Sequence, residues 1–201
     1  MQGLRDRKRA DNRLTTIDAA YELFAERGYD VVTVADICAT AGIARRTFFR
    51  YFDSKVAVLD EPLQQMTDRV VSSIAASDCA DDGQVLRAAL TESARYVLAH
   101  RERLTLHHRI VAASTTLAWS PYRQLGGHEW SHAKQLDERR GQLGDPDWRT
   151  RLLVSRGVSV LRVWLDETLR APLSGDTSEL LDEMFDADPW FATASQERSS
   201  P

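Results

Sequence analysis

Apolar residues recur at intervals of three and four along almost the whole chain, and this periodicity constrains the fold more than any other feature. No stretch shows four or more clean apolar/polar alternations with β-branched enrichment, so the pattern predicts an all-α protein. Leu14, Ile17, Tyr21 and Phe24 form one stripe that stops at Gly28, a residue suited to a left-handed helix end. Thr33, with Asp36 three residues on, reads as a capping box. The helix it opens turns Val34, Ile37, Cys38 and Ala41 inward until Gly42 breaks it. A third helix, over residues 44–52, is expected to bury Phe48 and Phe52 and leave Arg45, Arg46 and Arg50 outward. Three short helices, the last two joined by a tight glycine turn, have the anatomy of a helix-turn-helix.

Beyond this head the same spacing continues. Asp53 and Ser54 cap a fourth helix striped by Val56, Leu59, Leu63, Met66, Val70 and Ile74. Pro62 lies inside it and predicts a kink, because proline lacks the N–H and clashes with the carbonyl of Val58. Further helices are expected near 84–99, 102–118, 128–141, 147–170 and 177–191. Asp145-Pro146 and the Asp176/Glu179 pair mark two of their starts. Residues 147–170 are apolar on more than one side, through Leu152, Leu153, Val158, Val160, Leu161, Val163, Trp164, Leu165 and Leu169. Such a helix is buried on both sides, within its own domain or across a subunit seam. The expected organisation is a helix-turn-helix domain over 1–54, a helical domain over 55–195 and a tail over 196–201.

Charge separates the same regions. Residues 1–55 hold ten Lys/Arg against eight Asp/Glu, while the whole chain holds 26 against 30. Arg5, Arg7, Lys8, Arg9 and Arg13 form one basic cluster and Arg45, Arg46, Arg50 and Lys55 another, the pattern of a phosphate-binding face. Cys38 and Cys79 are too few for a disulfide framework or a four-thiolate zinc site. The charged N-terminus has no apolar segment after it, and the most apolar stretch, 110–119, is broken by Ser114, Thr115 and Thr116. Neither a secretory signal nor a membrane span is expected, and the reducing cytosol is the expected compartment.

A helix lies in the major groove when its outward face is polar and its first residues reach base edges. Ala44, Arg45, Arg46 and Thr47 occupy that place here. Arginine bonds bidentately to guanine, and the methyls of Ala and Thr suit thymine. The run from Thr33 through Gly42, Ala44, Arg45, Arg46, Thr47, Phe48, Phe49, Arg50, Tyr51 and Phe52 to Lys55 resembles the tetracycline-repressor-like (TetR) family of bacterial regulators, as does the preceding segment 19–29. The resemblance implies base contacts from Ala44, Arg45, Arg46 and Thr47, and phosphate contacts from Thr33, Tyr51 and Lys55. It also implies a variable helical domain that dimerises through its last two helices and binds a small-molecule effector. Two positions depart from the family pattern. Ala44 replaces a serine, leaving the third helix without that cap, and Phe49 replaces a tyrosine, so Phe49 is expected to pack against sugar or core.

His128-Glu129-Trp130-Ser131-His132 matches HExxH, in which two histidines one turn apart hold zinc and the glutamate activates water. A catalytic zinc needs a third protein ligand. Glu138, Glu167 and Glu179 stand at the available spacings without a supporting motif, so a zinc-dependent hydrolase is the alternative reading. No cofactor or metal is implied by the preferred one. His107, Arg109, Trp119, Tyr122, Trp130 and Trp164 are the candidates to line an effector cavity between helices. The expected partners are an operator in duplex DNA, a second copy of the chain and an effector. No enzymatic role and no membrane partner are expected.

Overall fold

The computed structural model describes residues 2–117, 121–170 and 177–191, and the side chains of 10–117, 128–169 and 177–191. Among the described residues there are ten helices and no strand, in agreement with the periodicity. They are α1 (Gln2–Arg27), α2 (Val34–Thr40), α3 (Arg45–Phe48), α4 (Lys55–Leu59), α5 (Glu61–Ala75), α6 (Asp82–Ala99), α7 (Arg101–Ala113), α8 (Pro121–Arg139), α9 (Trp148–Arg170) and α10 (Thr177–Asp186).

The chain forms two compact units. The described residues of Met1–Gln64 and Glu102–Pro121 make the first, and those of Gln65–Arg101 and Tyr122–Pro201 the second. This division differs from a cut at residue 54, because most of α7 packs with the N-terminal helices. Ile110 and Leu117 are buried in one cluster with Ile17, Tyr21, Phe24, Tyr29, Ile37, Phe48, Phe52 and Leu59. Polar ties reinforce it. Arg103 pairs with Asp18, and the Tyr21 hydroxyl donates to the Leu59 carbonyl at 2.7 Å. Leu14, expected in the stripe of α1, is 51% exposed and lies off the core face.

The expected kink at Pro62 is a break. The fourth helix ends at Leu59, Asp60 closes it, and Pro62 sits in the first turn of α5, where its missing N–H costs nothing. Beside the break, buried Glu61 takes a paired bond from Arg13. Ser54 caps α4 as expected, accepting from the Ala57 amide at 3.2 Å.

In the second unit α6, α9 and α10 pack on one another. Their core is Val85, Leu86, Leu90, Val97, Val154, Leu161, Trp164, Leu181 and Phe185. The start of α9 lies two residues beyond the expected cap. Asp147, not Asp145, accepts from the Arg149 amide at 2.8 Å, and its own N–H donates to buried Asp137 at 2.9 Å. Asp137 also accepts from Thr150 and Arg140. Burial pushes its carboxyl up, but those bonds outweigh burial and hold it below the usual range. The expected Asp176/Glu179 capping box and the tail at 196–201 lie outside the described residues.

Candidate nucleic-acid interface

The head is built from local signals. The Thr33 hydroxyl accepts from the Asp36 amide at 3.2 Å while the Asp36 carboxylate accepts from the Thr33 N–H at 2.8 Å. This reciprocal capping box fixes the start of α2. The Thr33 hydroxyl bond, before all else, draws the Asp36 carboxyl below its ordinary value. At the far end Gly42 has φ 64°, a left-handed conformation that L side chains rarely adopt, and the Ile43 amide bonds back to the Cys38 carbonyl at 3.0 Å. This turn aims α3. Phe48 is fully buried and packs against Phe52, with ring centroids 5.7 Å apart.

With that face inward, Ala44, Arg45 and Arg46 are exposed and Thr47 is half-buried. The regular helix ends at Phe48, earlier than expected, and a tighter turn carries the chain on, with the Tyr51 amide on the Phe48 carbonyl at 2.8 Å. Ala44 stands at the N-cap with no side-chain bond, so the amides at the start of α3 lack that acceptor. Phe49 is 49% exposed and meets Phe48 edge-on, leaving about half its surface outside the core. Arg50 donates to the Tyr51 hydroxyl at 3.0 Å and lies over its ring. Thr33 and Arg50 are exposed and Tyr51 is half-buried.

Lys55 differs from these. Its ammonium donates to the carbonyls of Tyr29 at 2.7 Å, Val32 at 2.9 Å and Asp30 at 3.5 Å, and it lies 4.2 Å from the centre of the Tyr29 ring. An ammonium has three donors, and here each has a carbonyl acceptor. Sequence reasoning missed this because the acceptors are backbone atoms, which carry no residue-type signal.

The six candidate effector residues are not brought together as one set. His107 is buried in the first unit, with Nε2 3.9 Å from Asp60 Oδ1, and Arg109 is exposed there. Trp164 is wholly buried in the second unit, its indole N–H donating to the Thr177 carbonyl. Trp130 is 39% exposed and lines an open groove of about 430 Å³ with Glu129, Trp148, Arg151, Leu152 and Ser155. Trp119 and the side chain of Tyr122 lie outside the described residues.

The HExxH residues have other engagements. The Glu129 carboxylate accepts from the Ser155 hydroxyl at 2.6 Å, and His128 Nδ1 shares a 2.7 Å bond with Thr67. Buried His132 has no hydrogen-bond partner among the described residues at either ring nitrogen, and burial, aided by the nearby His128, lowers its pKa to about 4. Among the described residues no group of three His, Cys, Asp or Glu is placed to hold a metal. Glu138 reaches instead towards Lys134, at 3.8 Å. The geometry therefore gives the zinc-hydrolase alternative no support.

A capped brace helix, a left-handed turn and a short helix bearing exposed arginines define a helix-turn-helix DNA-binding protein. Residues 17–61 match the sequence profile of bacterial regulatory proteins of the tetR family. The chain is 38% identical over 92 residues to a Mycobacterium tuberculosis protein named as a mycofactocin biosynthesis transcriptional regulator, MftR, a match covering 46% of this chain and 45% of that one. It is 29% identical over 171 residues to the HTH-type transcriptional regulator TcmR of Streptomyces glaucescens, covering 80% and 74%. Thus the chain aligns with under half of MftR but with most of TcmR. In fold it is similar to NalD, described as the secondary repressor of a multidrug efflux pump in Pseudomonas aeruginosa, at a TM-score of 0.60 and 20% identity over 89% of this chain and 95% of that one. Over residues 17–61 the chain therefore carries a helix-turn-helix segment similar to that of bacterial regulatory proteins of the tetR family. No described helix is long and apolar enough to cross a membrane.

Proposed function

We propose that the chain is an effector-released repressor that binds a palindromic operator as a homodimer, in the cytoplasm of its bacterium. The single observation that carries this reading is the exposed Ala44-Arg45-Arg46 edge, held outward by the burial of Phe48. In this reading Arg45 and Arg46 bond guanine edges, and Ala44 and Thr47 meet thymine methyls. Thr33, Arg50 and Tyr51 face phosphates, and Phe49 packs on sugar.

The second copy is proposed to dock on α9 and α10. Leu153, Val158, Leu161 and Trp164 are buried within the unit, whereas Leu152 and Val163 are 43% and 49% exposed. An open groove of about 540 Å³ runs beside them, lined by Ser159, Val160, Val163, Met184 and Ala187 among others. An apolar strip left over after a core has closed is the usual material of a subunit seam. The effector is assigned to the second unit, where a ligand preferring one conformer shifts the population away from the DNA-binding one.

Selection of duplexes from a random-sequence library by the purified protein tests the proposal. The expected product is a palindrome whose half-site centres lie about 34–36 Å apart, with an affinity that falls steeply as salt rises. Binding without sequence preference would overturn it.

A further inference from the structure

We infer that Lys55 and Asp30 are positioning residues for operator binding, holding the segment 28–33 between α4 and the turn after α7 so that α7 sets the start of α2. The inference rests on the DNA-binding reading and assigns to that site a route of regulation.

The segment is short and gripped from both sides. Lys55, the first residue of α4, binds the carbonyls of Tyr29, Asp30 and Val32. On the other side the Asp30 carboxylate accepts from the Ser114 hydroxyl at 2.6 Å, the Thr115 amide at 3.0 Å and the Thr115 hydroxyl at 3.1 Å. These donors follow directly on the last residue of α7, and Ser114 is buried with its oxygen also accepting from the Leu117 amide at 3.1 Å. The bonds from Ser114, then Thr116 and Thr115, hold the Asp30 carboxyl well below the usual carboxylate range, so the latch stays charged at neutral pH. Thr33, the last residue of the gripped segment, is the N-cap of α2. Displacing the end of α7 therefore pulls on the cap of the brace helix, three residues beyond Asp30, and α2 carries the recognition helix through the Gly42 turn. None of the latch residues needs to touch DNA. An ammonium with three carbonyl acceptors would have to leave them to neutralise a phosphate.

The two roles open to Lys55 differ in their salt dependence. With a duplex selected by the wild-type protein as probe, Lys55→Met is expected to weaken binding about tenfold at every salt concentration with the slope of log K against log salt unchanged. A phosphate contact would instead reduce that slope by about 0.9. Asp30→Ala separates the readings by sign: removing a negative charge near DNA favours binding on electrostatic grounds, whereas a lost latch weakens it, again by about tenfold. Thr115→Val should weaken binding about threefold and Thr115→Ser restore it, a milder pair that keeps the test open where the first variants fail to fold. Amide exchange at residues 34–37 of the free protein is expected to quicken in Asp30→Ala and Lys55→Met. A smaller salt slope, tighter binding by Asp30→Ala, equal behaviour of the two Thr115 variants, or unchanged exchange would each overturn the latch. Failure of the wild-type protein to select any duplex would strike the DNA-binding reading alone, because the exchange measurement needs no DNA.

Discussion

Rings make up a larger share of the buried core in the first unit than in the second, which closes mainly over aliphatic chains. Tyr21, Phe24, Tyr29, Phe48 and Phe52 meet within the first, with Phe24 and Tyr29 5.0 Å apart at their centroids. The second relies on Leu86, Leu90, Val97, Val154, Leu136 and Leu161, with Tyr96, Trp164, Phe185 and Phe191 as its buried rings. The devices that shape them also differ in reach. The start of α2, the turn before α3 and the start of α4 are each fixed by bonds across three to five residues. The second unit is tied by Arg87 to Asp186, 99 residues away, and by Arg139 to Asp82, 57 residues away. The caps and turns of the DNA-facing head are shaped by short-range geometry and then held in place by a few distant ties, Asp30 to Ser114 across 84 residues among them, whereas the second unit's α6, α8 and α10 are joined by distant pairs.

The largest effect that tests this contrast is loss of the ring at the centre of the head. Phe48→Ala is expected to cost about 3–5 kcal/mol and to abolish binding to the selected duplex. Trp130, Trp148, Trp164 and Trp190 all lie in the second unit, so with the fifth tryptophan replaced in a Trp119→Phe background, tryptophan fluorescence follows that unit through urea unfolding. Its midpoint should hold while helix signal is lost early. Coincident shifts of both signals would make the molecule one cooperative structure and break the comparison.

Acid should weaken the second unit through His132. Its pKa is about 4 when folded against an ordinary 6.5, so between those values the unfolded chain takes up a proton that the folded chain refuses. Stability is complete above the ordinary value and declines as pH falls towards 4, by about 3 kcal/mol. His132→Leu removes the titrating group and two unpartnered nitrogens, and its unfolding midpoint should change less between pH 7 and pH 4.5 than that of the wild type. An equal acid loss in both proteins would place the sensitivity elsewhere.

At the DNA-facing edge, Arg46→Ala is expected to weaken binding to the selected duplex by about 1–3 kcal/mol and relax preference at one base position. Arg46 is exposed, so its thermal midpoint should not move. Unchanged affinity and sequence preference would remove Arg46 from the interface.

Legibility in the sequence followed the reach of each interaction. The capping box at Thr33, the close of α1 at Gly28 and the outward arginines depend on residue type at fixed short spacing, and all are present in the structure. Leu14 fitted the stripe of α1 by spacing but is 51% exposed, off the face that the core covers. The break at Pro62 needed the knowledge that Asp60 closes one helix and Glu61 opens the next. The membership of α7 in the first unit rests on Ile110, buried in that core, and on the pairing of Arg103 with Asp18, 85 residues away. No periodicity records such a tie. The grip of Lys55 was hidden because its acceptors are carbonyls, and the engagements of Glu129 and His128 because their partners, Ser155 and Thr67, are separated from them by 26 and 61 residues.

The smallest effect concerns the cap itself. Thr33→Ala removes the hydroxyl that accepts from the Asp36 amide, and loss of an N-cap hydroxyl typically costs about 1 kcal/mol. Thr33 is exposed and also a candidate phosphate contact, so two origins of weaker binding must be separated. Thr33→Asp retains a side-chain acceptor for α2 but brings negative charge towards the phosphates. If the residue acts as a cap alone, the Asp variant recovers the thermal midpoint and the affinity together. If it also meets the backbone, the Asp variant recovers the midpoint while affinity falls below that of Thr33→Ala, most strongly at low salt. Recovery of neither would mean that the start of α2 is set by the grip on residues 28–33 and that the capping box adds little, making the head less locally determined than its spacing implies.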